Sequence, residues 1–208
     1  RPGEICGFLG VNGAGKTTLQ KRIAAYLEEK HFSVLTSREP GATLLGQNLR
    51  KLLLETETEP PGPVSEMLMF AADRADHVAR VIRPALQKGT KVIVDRYYYS
   101  SIAFQGYGRE LGADLVRKIN ELAIDGLRPD LVILMDLDPV VGLGRNRSGR
   151  PGDIDRLEHE ELQFHRRLRD GFLEMARMLP EPFIVVDAGQ SQDRIFSELR
   201  PALDKIFK

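Results

Sequence analysis

Five short runs rich in apolar and β-branched residues recur along the chain: Ile5–Leu9, Ser33–Thr36, Lys91–Asp95, Leu131–Asp136 and Phe183–Asp187. Runs of this length read as strands, and an almost continuous apolar run marks a strand covered on both faces. Between them lie longer stretches with apolar residues three or four apart, Lys16–Lys30, Val64–Lys88, Ala113–Gly126 and Arg156–Leu179, which predict helices. Strand alternating with helix predicts an α/β fold, a five-stranded parallel sheet flanked by helices on both faces. Turn signals agree: Glu39-Pro40-Gly41 follows the second run, and Pro60-Pro61-Gly62-Pro63 opens the long helix from Val64. On that helix Met67, Phe70 and Arg74 share a face, and Leu68, Ala71, Ala75, Ala79 and Ile82 make a second stripe expected to meet the core. Ligands of such sheets bind at the carboxyl ends of the strands, here around Gly10, Asp95 and Asp136.

Length and charge narrow the picture. The 208 residues fit one domain, 1–208, with no internal repeat, low-complexity tract or linker. Thirty basic residues balance 30 acidic ones, so nothing draws the whole chain toward nucleic acid or a membrane, and any phosphate site must be local. The lone cysteine, Cys6, lies in an apolar run, where it excludes a disulfide within the chain and fits space-filling in a reducing, cytoplasmic setting. No secretory leader is evident, and no apolar stretch approaches the roughly 20 residues of a membrane span. The chain opens at Arg1 without a methionine, so natural residues are expected ahead of it. Arg145–Gly152, rich in Arg and Gly and poor in apolar residues, is expected to form a mobile loop within a short lid at about 145–156.

The most specific signal is Gly10-Val11-Asn12-Gly13-Ala14-Gly15-Lys16-Thr17, a full match to G-x-x-x-x-G-K-[ST] after a strand and before a helix. Its glycines let backbone N–H groups curl around phosphate oxygens, and the helix opening near Lys16 turns its positive end there. Gly10, Asn12, Gly13, Ala14, Gly15, Lys16, Thr17 and Thr18 are therefore the expected ATP contacts. Lys16 would reach the β- and γ-phosphates, and the Thr17 hydroxyl Mg²⁺. The segment Gly3–Leu19 also resembles the phosphate loop of ABC transporter ATPases, but such an ATPase needs an LSGGQ-type signature and an Asp-Glu strand end. Neither is present; Asp136 continues as Leu137-Asp138-Pro139.

Downstream, Ser37-Arg38-Glu39-Pro40-Gly41-Ala42-Thr43, Leu68-Met69-Phe70-Ala71-Ala72-Asp73-Arg74, Asp95-Arg96-Tyr97, Ser100-Ser101-Ile102-Ala103-Phe104-Gln105-Gly106-Tyr107-Gly108-Arg109 and Asp155-Arg156-Leu157-Glu158 follow in order. Together these motifs resemble those of the thymidylate kinase family over nearly the whole chain. The resemblance implies a P-loop nucleoside monophosphate kinase fold and transfer of a phosphoryl group from ATP to dTMP, with Mg²⁺, in a homodimer. It assigns Arg38 and Arg96 to the acceptor phosphate, Asp95 to the metal, and Ser101 and Gln105 to the acceptor's base and nearby phosphate. Phe104 stands where many members have tyrosine, beside the sugar's 2′ carbon. Phe70 suits stacking on thymine and Arg74 donation to its O4, although a core phenylalanine and an ion-paired arginine are the plainer alternatives. For Asp95 the plainer alternative is a helix N-cap. The phosphate loop offers Val11, Asn12 and Ala14 rather than an arginine, so the charge-neutralising arginine must come from the lid cluster Arg145, Arg147, Arg150 and Arg156, with Arg147 and Arg150 foremost. A basic surface loop is the competing reading of that cluster.

Two positions depart from the family pattern: Asn12 stands where members commonly carry an acidic residue near the acceptor sugar's 3′-hydroxyl, to which Asn12 can still hydrogen-bond, and Leu9 where many members carry glutamate. A kinase of broader nucleotide specificity, a nucleotide-binding module without turnover and a regulatory ATPase therefore remain open alternatives at this point.

Overall fold

The computed structural model describes residues 3–55, 59–149 and 156–208. The strands β1 (Ile5–Gly10), β2 (Val34–Arg38), β3 (Lys91–Asp95), β4 (Leu131–Asp136) and β5 (Phe183–Asp187) form one parallel sheet in the order β2-β3-β1-β4-β5. Side-chain alternation divides the strands between two apolar cores. Ile5, Leu9, Val94 and Leu134 enter one; Cys6, Phe8, Ile93 and Ile133 enter the other. Leu9 is thus a fully buried core residue, and burial pushes the Cys6 thiol above its ordinary value. Helices α1 (Lys16–Glu29) and α9 (Gln192–Ile206) cover the second face. On the first face lie α2 (Leu44–Leu54), α3 (Pro63–His77), α4 (Arg83–Gln87), α5 (Tyr98–Ser101), α6 (Ala113–Ile124) and α8 (Leu162–Met178). Among the described residues, no helix is long and apolar enough to cross a membrane.

The expected elements appear, with corrections. The stretch Val64–Lys88 is not one uniform helix: a π-helical turn, Val78–Ile82, separates α3 from α4, with Arg83 N–H bonded five residues back to Val78. Pro84 supplies the reason, since it lacks an N–H and its ring would crowd the carbonyl of Arg80. The second stripe is also corrected. Leu68, Ala75 and Ala79 are exposed, and the buried face runs through Met67, Phe70, Ala71, Arg74, His77 and Val78. A second π-helical stretch, Ile102–Gly108, follows α5 and closes with Arg109 N–H on the Phe104 carbonyl at 2.8 Å.

Arg145–Gly149 is helical rather than loop, as the end of α7 (Pro139–Gly149). Asp138 caps that helix, its Oδ1 accepting from Val140 N–H at 2.8 Å, and Pro139 begins it with a preset φ. Arg156–Leu179 divides into a 3₁₀ turn, Arg156–His159, and α8, with extended backbone at Glu161 between them.

Candidate active site

The phosphate loop joins β1 to α1 and turns on three glycines in left-handed conformation, Gly10 (φ 136°), Gly13 (φ 80°) and Gly15 (φ 84°). A Cβ at Gly10 would lie 2.5 Å from the Met135 carbonyl oxygen, so only glycine lets β1 enter the turn against β4. Lys16 is buried at the start of α1, and its ammonium donates to the carbonyls of Gly10 at 3.1 Å and Val11 at 2.9 Å.

The sheet order brings β1, β3 and β2 side by side, which aligns Phe8, Asp95 and Arg38 in register across three strands. Immediately beyond, Arg96 takes φ 67°, a conformation that costs an L-residue roughly 1–2 kcal/mol. Three contacts hold it there. Its N–H bonds to Phe8 O at 2.9 Å, its Nη2 donates to Asn12 Oδ1, and its guanidinium lies 5.0 Å over the Phe104 ring. Arg96 Nη1 and Asp95 Oδ1 are buried without a protein partner. Asp95 is not a helix N-cap, because Tyr97 precedes α5.

One cavity of about 470 Å³ lies at this rim of the sheet. From the phosphate loop and the start of α1 it is lined by Asn12, Gly13, Gly15, Lys16, Thr17 and Thr18; the rest of its lining includes Arg38, Phe70, Arg74, Asp95, Arg96, Ser101, Phe104 and Gln105. Two of the expected residues stand back from it: Gly10 acts through conformation, and Ala14 is packed into the core. Arg147 belongs to α7, with its side chain outside the described part, and Arg150 lies outside the described residues. Asp136 does not line the cavity either. Arg169 of α8 grips both its oxygens, Nε to Oδ1 at 2.7 Å and Nη2 to Oδ2 at 2.8 Å.

Around Arg74 and Gln105 the cavity wall is built on buried charge. Arg74 is 1% exposed; Nε donates to Glu39 Oε2 at 2.8 Å, and Nη1 donates to Ser101 Oγ at 3.0 Å and to Asn120 Oδ1. Arg74 is thus an ion-paired arginine, and its partner is Glu39, just beyond β2. Gln105 donates Nε2 to Glu66 Oε1 at 2.8 Å, while its own Oε1 has no protein partner. Glu66 of α3 also receives Arg109 at 3.3 Å and Arg156 at 2.5 Å. Burial alone would raise the Glu66 carboxyl, but hydrogen bonds from Gln105, Arg156 and Arg109 outweigh it and hold the group below the usual carboxylate range.

Two further contacts fasten the turn Arg156–His159 beside this cavity. Arg156 Nε bonds to Leu53 O at 3.1 Å at the end of α2, and Glu158 Oε1 accepts from Asn12 Nδ2. Asn12 thereby uses its amide at both ends, accepting from Arg96 and donating to Glu158, which an aspartate cannot do.

Sequence reasoning assigned no role to Glu39, Arg50, Glu66 or His77. Glu66, Phe70, Arg74 and His77 are spaced by three and four, so one helical face carries them all, and that spacing was the available signal. Arg50, on α2, lines the cavity and donates to Pro40 O at 3.0 Å.

The family model described as thymidylate kinase matches residues 8–199. A thymidylate kinase of Carboxydothermus hydrogenoformans is 46% identical over 97% of this chain and 97% of its own. One of Synechococcus sp. (strain JA-3-3Ab) is 45% identical over 93% of this chain and 94% of its own. The crystal structure of thymidylate kinase from Ehrlichia chaffeensis superposes with a TM-score of 0.77 at 31% identity, covering 97% of this chain and 98% of that one. The match takes in the phosphate loop, both arginine-bearing strand ends and the α3 face in a single alignment, and on it the chain belongs to the thymidylate kinase family.

Proposed function

We propose that this chain transfers the γ-phosphoryl group of ATP to the phosphate of dTMP, giving ADP and dTDP for the supply of dTTP. The observation that carries the reading is the shared cavity, in which a phosphate cradle and an arginine-lined seat face each other with no wall between them. Arg38 and Arg96 hold the acceptor phosphate, because planar guanidinium groups donate paired hydrogen bonds to phosphate oxygens. Phe70 stacks on the base, Arg74 donates to its O4, and Ser101 and Gln105 complete the polar edge. Phe104 stands beside the sugar and crowds a 2′-hydroxyl. An acceptor oxygen attacks the γ-phosphorus in line, so no covalent enzyme intermediate forms. Lys16 and the lid arginines, Arg147 and Arg150, neutralise the charge that develops, and lid closure excludes water.

The residues fit Mg²⁺. Asp95 Oδ1 is buried without a partner and Thr17 lies on the same cavity, an all-oxygen pair suited to a hard cation. Mg²⁺ needs few protein ligands, because phosphate oxygens and water fill most of its coordination positions. Thr17 and Asp95 would hold the ion, which would supply positive charge to offset that of the ATP phosphates. A second copy is the expected partner: α3 packs between α2 and α6, and these carry exposed Leu44, Leu45, Val64, Leu68, Leu115 and Leu122. Cytoplasmic residence agrees with a free, buried Cys6.

Coupled ADP release with dTMP, dUMP, UMP, AMP and shikimate offered separately tests the reading. The expected result is fastest turnover on dTMP, with a modest gap to dUMP, since one methyl in an apolar pocket is worth about 1–3 kcal/mol. Binding of ATP and dTMP without dTDP formation would leave a binding module, and ADP release indifferent to acceptor would leave an ATPase.

A further inference from the structure

Beneath the acceptor side runs a chain of buried polar groups to which the transfer chemistry assigns no part. Glu39 directs Oε2 at Arg74, 2.8 Å from both Nε and Nη2, and Oε1 at His77 Nδ1, 2.9 Å away. A carboxylate only accepts, so Nδ1 carries a proton toward Glu39, and Nε2 pairs with Ser37 Oγ at 2.8 Å. Glu39, Arg74 and His77 are each 3% exposed or less. The chain of contacts therefore clasps the residues on either side of Arg38 and ends on Arg74.

Its effect on Arg74 is specific. With Nε on Glu39 and both Nη1 hydrogens on Ser101 and Asn120, the guanidinium can neither rotate nor withdraw, and only the outer edge of Nη2 remains for a ligand. A guanidinium donates and never accepts. A base with a carbonyl oxygen at that edge satisfies it, whereas one with an amino group sets donor against donor and leaves both unpaired.

We propose that Glu39 and His77 are positioning residues that set base selectivity: Glu39 locks Arg74 as a fixed donor toward a 4-carbonyl base, and His77 locks Glu39. This rests on the reading in which Arg74 faces the acceptor base. Freeing Arg74 lets it retreat from an amino group, so loss of either residue narrows the preference for dTMP over dCMP.

The test is steady-state kinetics on dTMP and dCMP for the wild type, Arg74→Ala, Glu39→Gln and His77→Phe, with thermal melting as a folding control. Glu39→Gln is expected to raise KM for dTMP roughly tenfold, the loss typical of a hydrogen bond to a charged group, and to narrow the dTMP:dCMP ratio of kcat/KM about as much. KM for ATP and kcat at saturating dTMP stay near wild type; His77→Phe moves the same quantities less. If the wild type makes no dTDP, or Arg74→Ala leaves the ratio unchanged, the functional reading falls. If Arg74→Ala collapses the ratio while Glu39→Gln and His77→Phe preserve it, the assignment of Glu39 and His77 falls alone. A Glu39→Gln or His77→Phe chain that does not fold, or one that loses kcat and ATP affinity in step with dTMP affinity, marks a merely structural residue and also overturns it.

Discussion

Asp73 of α3 is fully buried, with one oxygen accepting from Gly41 N–H at 3.0 Å and the other unpartnered. Burial first, and then the charge of Glu39, pushes its carboxyl from 3.8 up to about 6. A raised folded value favours the protonated form, so its contribution to stability is complete below about pH 4 and is lost as pH rises through about 6. Asp73→Asn keeps an oxygen for Gly41 and has no charge to bury. Urea unfolding should find it more stable than wild type at pH 8, by on the order of 1–3 kcal/mol, and equal at pH 4. In activity assays, Lys16→Ala should abolish transfer to every acceptor, whereas Arg74→Ala should chiefly raise KM for dTMP, by about tenfold or more. Lys16, Arg38, Arg96, Phe70 and Arg74 could be singled out from the phosphate-loop motif and the family resemblance, and they line one cavity. Glu39, Glu66 and His77 could not, because charged and polar residues ordinarily face water. Their partners come from elements far away in sequence, which no local pattern reveals.

Single residues also join elements. Glu66 links α3, the π-helical stretch Ile102–Gly108 and the turn Arg156–His159 through Gln105 and Arg156. Glu66→Ala strands two arginines and a buried amide, and denaturant melting should show a loss of about 3–5 kcal/mol, the usual result of breaking a buried ion pair from one side. Because the Glu66 carboxyl lies low in the fold, that contribution holds above its unfolded value and fades as pH falls into the acid range. All five strands were legible to within two residues at each end, since β-branched runs flanked by glycine admit few other readings. Four helical segments escaped. Along α2 only Gly46 and Leu53 are buried, so its apolar residues do not trace an inward stripe. In α9 Pro201 interrupts a pattern otherwise set by Ile195, Leu199 and Leu203. The Tyr98–Gly108 segment is π-helical over most of its length and has neither helical nor strand period. The start of α7 was written in Asp138-Pro139, but the glycines and arginines after it argued for a loop.

At the scale of the molecule, the proposed homodimer can be tested at the exposed apolar positions on α2, α3 and α6. Sedimentation should give a dimer for the wild type, and Leu68→Glu combined with Leu122→Glu should shift it toward monomer. A monomeric wild type would remove the homodimer. The sheet order has a further consequence. With β1 at the centre and β2 and β3 on one side of it, the cradle and the arginine seat open into one chamber. A thymidine diphosphate carries its terminal phosphate across the transfer point and occupies ground that each substrate needs. Accumulating product should therefore brake the forward reaction against nucleotide donor and acceptor alike, and raising either one should lift the brake.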